Sequence, residues 1–352
     1  MKNNIYDYNL EDLEAYFTSL GDRKFRGQQV FDWLHRKRVP SFEAMTNLKR
    51  DVIDHLKETF DMDLLKLETM QESYDGTRKY LFHLRDGNLI ETVLMHHNYG
   101  KSICVTTQIG CSMGCTFCAS GQLGRIRNLE AGEIVAQVIR VQQSLDEESD
   151  RVSHIVVMGI GEPFDNYTNV MQFLKIINHP KGLAIGARHI TLSTSGIVPK
   201  IYEFAEFGLQ VNLAISLHAS DNETRSKIMK INKVYPIEEI IKAVAHYIEK
   251  TNRRITFEYI LLAGINDSLG DANRLSNLLR GLNAYVNLIP YNSVVGAPFQ
   301  RTSKEKASAF FDELKKRGIN ATLRREQGHD IDAACGQLRA KKIKEGKGLD
   351  ES

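Results

Sequence analysis

Three cysteines crowd into one short stretch, Cys111-Ser-Met-Gly-Cys115-Thr-Phe-Cys118. Thiolates in this CxxxCxxC spacing can reach three corners of an iron–sulfur cube, and a cube with only three ligands keeps one iron open, as catalytic metal sites do. Completed by a distant Cys or His, the same trio would be a structural zinc knuckle, but the aromatic Phe117 before the last cysteine favours the cluster. Downstream, Met158-Gly-Ile-Gly161-Glu162-Pro163 follows a strand-like run. A glycine-rich turn carrying a carboxylate there is either a ligand loop at the mouth of a barrel or a plain structural turn. Two cysteines stand alone: Cys104, and Cys335 within Gly328-His-Asp-Ile-Asp-Ala-Ala-Cys335-Gly-Gln-Leu338. Isolated cysteines are commonly inert core residues. Gly and Asp neighbours argue for loops instead, and a loop thiol is a candidate nucleophile.

The remaining composition narrows the setting. Five cysteines, an odd number and unevenly spread, do not make a disulfide framework and fit metal or redox chemistry in a reducing compartment. With 352 residues, 42% of them hydrophobic, the chain can bury one large domain and a small accessory one. Its 46 basic residues against 44 acidic ones leave a net charge of +2, so composition alone gives no argument for nucleic-acid binding. Any RNA contact must come from local clusters such as Arg23, Lys24 and Arg26, or Arg36, Lys37 and Arg38, with Phe25 and Trp33 nearby. No apolar run approaches the ~18 residues of a membrane span, so no membrane partner is expected and a cytoplasmic location is.

The elements that must position these groups can be read from the hydrophobic period. Asn9 caps a helix with apolar positions Leu10, Leu13, Phe17 and Leu20, stopped by Gly21; further helices are expected over 26–38 and 49–60. Residues 1–60 therefore form a small helical accessory domain. Residues 61–96 read as a β-hairpin connection, Lys79 to Leu84 and Leu89 to Leu94 around Arg85-Asp86-Gly87-Asn88. Between 97 and 327, strand-like runs alternate with amphipathic helices, which predicts a parallel α/β core. Residues 328–352 hold the Cys335 loop and a lysine-rich tail, expected to be disordered unless RNA orders it.

Taken together, Cys104-Val-Thr-Thr-Gln-Ile-Gly-Cys111, the cysteine trio, Met158 to Pro163, Thr191 to Gly196, Ile215-Ser-Leu-His218, Val286 to Asn292 and Asp330 to Leu338 closely resemble the RlmN/Cfr family of radical S-adenosylmethionine (SAM) RNA methylases. The resemblance spans nearly the whole chain, including Lys24 to Trp33 in the helical start. It implies a partial (β/α)6 radical SAM barrel behind a small N-terminal helical domain. It further implies a 4Fe-4S cluster on Cys111, Cys115 and Cys118, two SAM molecules per turnover, and methylation of carbon 2 of an adenine in 23S rRNA and in tRNA. A flavodoxin-like electron donor and a monomeric enzyme are expected with it. Pro163 after Glu162 and Gly296-Ala-Pro298 after Asn292 look more like the RlmN branch than the carbon-8-methylating Cfr branch. A non-catalytic RNA-binding module with a structural metal is the alternative from another class.

By that resemblance, SAM contacts fall on Gly161, Glu162, Ser193, Ser216, Leu217, His218 and Asn292, at the ends of successive expected strands. Cys335 would take a methyl group from one SAM, and a radical generated from the other would activate it toward the adenine. Cys104 would attack the Cys335 sulfur, forming a disulfide and releasing the RNA. Glu91 would accept the proton; on its residue type alone it would be a solvated strand-end carboxylate.

Overall fold

A computed structural model describes residues 2–122, 124–294 and 296–324, together with positions 328, 330, 331, 338, 339 and 342. Cys335 and nearly all of the lysine-rich tail lie outside the described residues.

The N-terminal unit follows its capping chemistry. Asn9 accepts the Asp12 amide at 2.8 Å while the Asp12 carboxylate accepts the Asn9 amide at 3.0 Å, a reciprocal cap that starts α1 (Leu10–Ser19). Leu10, Leu13 and Phe17 face the core. The single helix expected over 26–38 is instead α2 (Phe25–Phe31) running into a π-helical turn, Asp32–Arg36, whose wider ladder closes from the Lys37 amide to the Asp32 carbonyl at 2.9 Å. Arg38 then turns the chain with φ +53°. After α3 (Arg50–Thr59), Phe60–Asp61 pairs in parallel with Asn3–Asn4 and closes the unit on itself.

Among the described residues, ten strands make the main sheet: β1 (Leu65–Glu72), β2 (Arg78–Leu84), β3 (Leu89–His97), β4 (Gly100–Cys104), β5 (Val152–Val157), β6 (Ile190–Thr194), β7 (Asn212–Ser216), β8 (Ile255–Leu261), β9 (Ala284–Pro290) and β10 (Ala321–Leu323). They lie side by side in chain order. Pairing from β1 to β4 is antiparallel, and from β4 to β10 it is parallel. Each parallel step is crossed by helix: α4 (Ala131–Asp146), α5 (Tyr167–Asn178), α6 (Val198–Ala205), then α7 (Asn222–Ile228) with α8 (Ile237–Thr251), α9 (Leu269–Leu278) and α10 (Lys304–Lys316). Six strand–helix units, β4 to β9, make the partial barrel, and β10 adds a seventh parallel strand beyond the six expected.

Residues 61–96 are more than a hairpin connection. Their strands are bonded onto the barrel through β3 and β4, and the 96/97 boundary cuts the last residue off β3. The core is also continuous, because Leu13, Val30 and Phe31 of the helical unit belong to the same buried cluster as Ile103, Ile155, Leu213 and Phe257 of the barrel. Where α4 begins, the Asp7 carboxylate accepts the Gly132 amide at 2.7 Å, so a side chain from the helical unit occupies the N-terminus of the first barrel helix. Among the described residues, no helix is long and apolar enough to cross a membrane.

Candidate active site

The cysteine loop leaves the top of β4 through a short antiparallel ribbon, Gln108–Gly110 against Arg125–Asn128. Within the loop, the Cys118 amide donates to the Cys115 carbonyl at 3.2 Å, and the Thr116 amide donates at 3.0 Å to Ile228, the last residue of α7. Cys115 and Cys118 pack against a small apolar group that includes Phe117, Ile228, Met229 and Tyr291. Gly121 is required by close approach, since a Cβ there would lie 2.8 Å from the Cys115 carbonyl oxygen. Burial pushes the Cys111 thiol up to about 12 and the Cys115 thiol further, and each feels the Cys118 sulfur. Ligation therefore has to release protons.

Among the described residues, no three His, Cys, Asp or Glu side chains close on a single metal ion. A four-iron cube asks for something different, because its ligand sulfurs bind separate irons and stand further apart. Three mutually interacting thiols on one loop fit that group. So do the buried hydroxyls of Thr107 and Ser120 beside the loop, which have no hydrogen-bond partner among the described residues.

The expected SAM contacts lie at or just past strand ends, and Glu162 and His218 reach this loop. Gly161, just past β5, has φ +113°, and a Cβ there would meet Thr107 Oγ1 at 2.8 Å, so only glycine fits. Glu162 is buried. Its amide donates to Gln108 Oε1 at 2.8 Å, and its carboxylate accepts the amides of Phe164 at 3.0 Å and Ser195 at 2.7 Å, which ties the β5 loop to the β6 loop. Burial raises its pKa above the ordinary carboxylate value, against those donors. Ser193 and Ser216 hydroxyls meet at 3.3 Å across β6 and β7. Leu217 and His218 amides both donate to the Glu258 carbonyl, at 3.1 and 3.2 Å. The His218 ring accepts the Ile260 amide at 3.1 Å and stands edge-on to Phe117 with 5.0 Å between centroids, and burial holds its pKa at about 3, a neutral ring. Asn292 lies just past β9, exposed, and no hydrogen bond joins it to the other contacts among the described residues.

The three residues assigned to the carbon transfer separate differently. Cys104 is the last residue of β4, opposite Val93 of β3 and Val156 of β5. Burial pushes its thiol up to about 11, opposed by the nearby Arg324 guanidinium. Glu91, in β3, is no solvated carboxylate. It forms a buried ion pair with Lys79 of β2 at 2.9 Å and accepts the Arg339 amide at 2.5 Å. Cys335 lies outside the described residues, but the chain on either side of it is anchored on the antiparallel strands. The Gly328 amide reaches Asp75 at 2.9 Å, Asp330 bonds Ser73 and the Tyr74 amide, and Arg339 Nε donates to the Leu89 carbonyl at 2.9 Å.

Several structural contributors carry no sequence signal. Lys79 reads as an exposed strand residue. Asn166 reads as a turn former, yet its side-chain amide donates to the Thr107 and Leu129 carbonyls at 2.9 and 2.8 Å and fixes both flanks of the ribbon. Gln108, inside a quoted motif, is the side chain that connects Glu162 to Asn128 and Asp165.

Comparison with known proteins agrees with this geometry. Residues 105–274 match the radical SAM superfamily, and residues 3–62 match the ribosomal RNA large subunit methyltransferase N-terminal domain. The chain is 58% identical over 341 residues to a probable dual-specificity RNA methyltransferase RlmN of Bacillus licheniformis, covering 97% of this chain and 94% of that one. It is 57% identical over 337 residues to the probable RlmN of Bacillus subtilis, covering 96% and 93%. A crystal structure of a radical SAM methyltransferase from Sphaerobacter thermophilus superposes with a TM-score of 0.92 at 43% identity, covering 95% of this chain and 98% of that one. Matched at this identity along almost its full length, and with a cysteine loop set on a radical SAM barrel, the chain belongs to the RlmN family.

Proposed function

We propose that this enzyme is a SAM-dependent radical methyltransferase that forms 2-methyladenine in RNA, acting on 23S rRNA at the peptidyl-transferase centre and on the adenine following the anticodon of tRNA. The observation that carries this reading is the junction of the cysteine loop with the strand ends. Glu162 bonds across to Ser195, Ser193 meets Ser216, the Glu162 charge reaches Cys111, and the His218 ring stands edge-on to Phe117 of the cysteine loop.

Cys111, Cys115 and Cys118 hold the 4Fe-4S cluster, which when bound supplies an electron to SAM, delivered by a low-potential donor such as flavodoxin. Gly161, Glu162, Ser193, Ser216, Leu217, His218 and Asn292 hold SAM. The neutral, buried His218 ring and the close-packed Gly161 shape the wall on which it lies. Cys335 takes the methyl group of a first SAM as a thioether and presents that carbon to the adenine, and a second SAM is consumed in activating it. Glu91 accepts the proton lost from the adenine carbon. Cys104, as its thiolate, then attacks the Cys335 sulfur, forming a disulfide as the carbon–sulfur bond to the RNA breaks, and the released methylene carbon takes up a proton to become the methyl group. Residues 1–60 contact RNA, 61–96 anchor the segment carrying Cys335, and 97–327 form the catalytic core. The target base has to leave its stack to reach the barrel mouth. On this reading the enzyme acts as a monomer in the cytoplasm, where its RNA substrates are.

The test is anaerobic turnover of the reconstituted full chain with SAM, reductant and either 23S rRNA or tRNA, followed by mass analysis of the nucleosides. 2-Methyladenosine together with 5′-deoxyadenosine is expected. 8-Methyladenosine would move the protein to the Cfr branch. Absence of any 5′-deoxyadenosine would support the non-catalytic module instead.

A further inference from the structure

Arg225, on α7, is completely buried. Its guanidinium donates to five oxygens: the carbonyls of Leu217 at 3.0 Å, Ser195 at 2.6 Å, Ser216 at 3.3 Å and Tyr235 at 3.4 Å, and Asn232 Oδ1 at 3.0 Å. None of these acceptors is a carboxylate, and among the described residues no carboxylate forms an ion pair with it. Carbonyl dipoles solvate a cation but do not cancel its charge, and a buried charge without a counter-charge is costly. Desolvation lowers its pKa to about 10, which leaves it a cation at neutral pH.

What lies nearby explains the arrangement. Ile228, three residues further along α7, accepts both the amide and the hydroxyl of Thr116, at 3.0 and 3.3 Å, so the helix carrying Arg225 is bonded into the cysteine loop between Cys115 and Cys118. The Arg225 charge favours the Cys115 thiolate, against the larger effect of burial. Its donor groups are engaged by the β6 and β7 loops and by 232–235, so the guanidinium is fixed and does not swing toward SAM or RNA.

We propose that Arg225 is the fixed counter-cation of the iron–sulfur cluster, a positioning charge that raises its reduction potential. This rests on the reading that Cys111, Cys115 and Cys118 hold the cluster. Three thiolates on an oxidised cube leave a net negative charge, and accepting one electron from an external donor makes it more negative. A fixed cation stabilises the reduced state more than the oxidised one, and net charge is one of the protein's levers on such potentials. No bond is made or broken at Arg225.

The measurement is an EPR-monitored redox titration of the anaerobically reconstituted full-length protein. Arg225→Met should move the cluster to more negative potential, lowering the reduction equilibrium constant roughly tenfold, the scale for one unit charge over ~10 Å at an effective dielectric of ~20. Arg225→Lys should stay near the wild-type potential. Asn232→Asp, nearly the same shape, places a carboxylate on the guanidinium and should shift the potential negative as Arg225→Met does. It decides the matter should Arg225→Met fail to fold or to load iron. Wild-type potentials in the variants that load, with Asn232→Asp among them, overturn the counter-cation role. Full iron loading in Cys111→Ala, Cys115→Ala and Cys118→Ala would instead overturn the cluster assignment, an outcome read separately from iron content.

Discussion

Glu162 at the end of β5 and Glu91 in β3 are equally deep, 3% and 4% exposed, but they are held in opposite ways. Glu162 takes its partners from backbone amides at strand ends, Phe164 two residues away and Ser195 on the next loop. Glu91 takes its partners from a lysine one strand over and from the Arg339 amide, 248 positions along the chain. The parallel half of the sheet thus builds its site from loops that follow adjacent strands, where parallel topology delivers every loop to one face. The antiparallel half contributes no such row of loops and instead grips a distant segment with side-chain charge. Motif-like order belongs to the first strategy, and dispersed residues to the second.

Removing the parallel half's chemistry should have the largest effect. In Cys111→Ala, Cys115→Ala or Cys118→Ala too few ligands remain for the cube. Iron content and the visible chromophore should both be lost, with 5′-deoxyadenosine falling to background. The antiparallel strands and their ion pair should stay folded, checked by thermal melting of the iron-free variants against the iron-free wild type. A variant that keeps its full iron would break the distinction.

Breaking the antiparallel half should act on stability first. Lys79→Met removes the lysine from a buried ion pair, a change that costs about 3–5 kcal/mol where one partner of such a pair is lost, although the Arg339 amide and charge stay beside the Glu91 carboxylate. Lys79→Met combined with Glu91→Gln should recover most of that loss in chemical denaturation, because the buried carboxylate that has lost its lysine goes with the second substitution. If the double variant is no more stable than the single one, charge is not what holds this region. Methylation should be lost in the double variant however stable it is, since Glu91 is the proposed proton acceptor.

Two buried groups, one in the helical unit and one in the barrel, should answer acidity in opposite senses. His35 is buried with neither ring nitrogen bonded among the described residues, and burial lowers its pKa from 6.5 to about 3. The unfolded chain takes up that proton first, so the stability due to a neutral His35 is complete above pH 6.5 and is lost as pH falls from 6.5 toward 3. Glu258, in the barrel, runs the other way, with burial raising its pKa from 4.5 to about 7 against the Asn287 amide at 2.8 Å. Its contribution is complete below pH 4.5 and is lost as pH rises from 4.5 to 7. His35→Phe should make the acid limb of a stability–pH curve shallower, leaving the share that His218 carries, and Glu258→Gln should make the neutral limb shallower, each leaving the other limb in place. A curve in which either substitution flattens both limbs would mean that the two regions titrate as one unit.

How much of this was legible follows from the range over which each feature is encoded. The cysteine trio, the Met158 to Pro163 turn and the barrel strands β5 to β9 are local patterns, the apolar runs at 154–158, 189–193, 211–217, 255–262 and 285–289 falling within two residues of the observed strand ends. β10 escaped because three residues, Ala321–Leu323, carry no period. The 61–96 segment was read only as a hairpin because Arg85 to Asn88 is a strong local turn. What welds it to the barrel is the tight reversal from His97 to Gly100, where φ +127° is available only to glycine. Lys79 and Arg225 were invisible for a different reason. A basic residue on a strand or helix reads as a solvated face, and its burial depends on partners supplied from elsewhere in the chain, Glu91 for one and the 195 and 217 carbonyls for the other.

The contact between the helical unit and the barrel should be the least sensitive to single charges. Arg38 reaches Asp146 at the end of α4 through two bonds, Nε to Oδ2 at 2.7 Å and Nη2 to Oδ1 at 2.9 Å. The geometry is that of a planar fork on a carboxylate, but the side chains are 20% and 36% exposed, so water and salt weaken the pair. Apolar burial shared by Leu13, Val30 and Phe31 with the barrel core carries the interface. Asp146→Ala should therefore cost no more than about 1 kcal/mol, and a double-mutant cycle with Arg38→Ala should give a coupling of that size or smaller, shrinking with added salt. Phe31→Ala, at the same interface, should cost about 3–5 kcal/mol. If the ion pair proves the larger of the two, the helical unit is docked by charge, as the Cys335 segment is, and the contrast between a packed and a charge-gripped region no longer holds there.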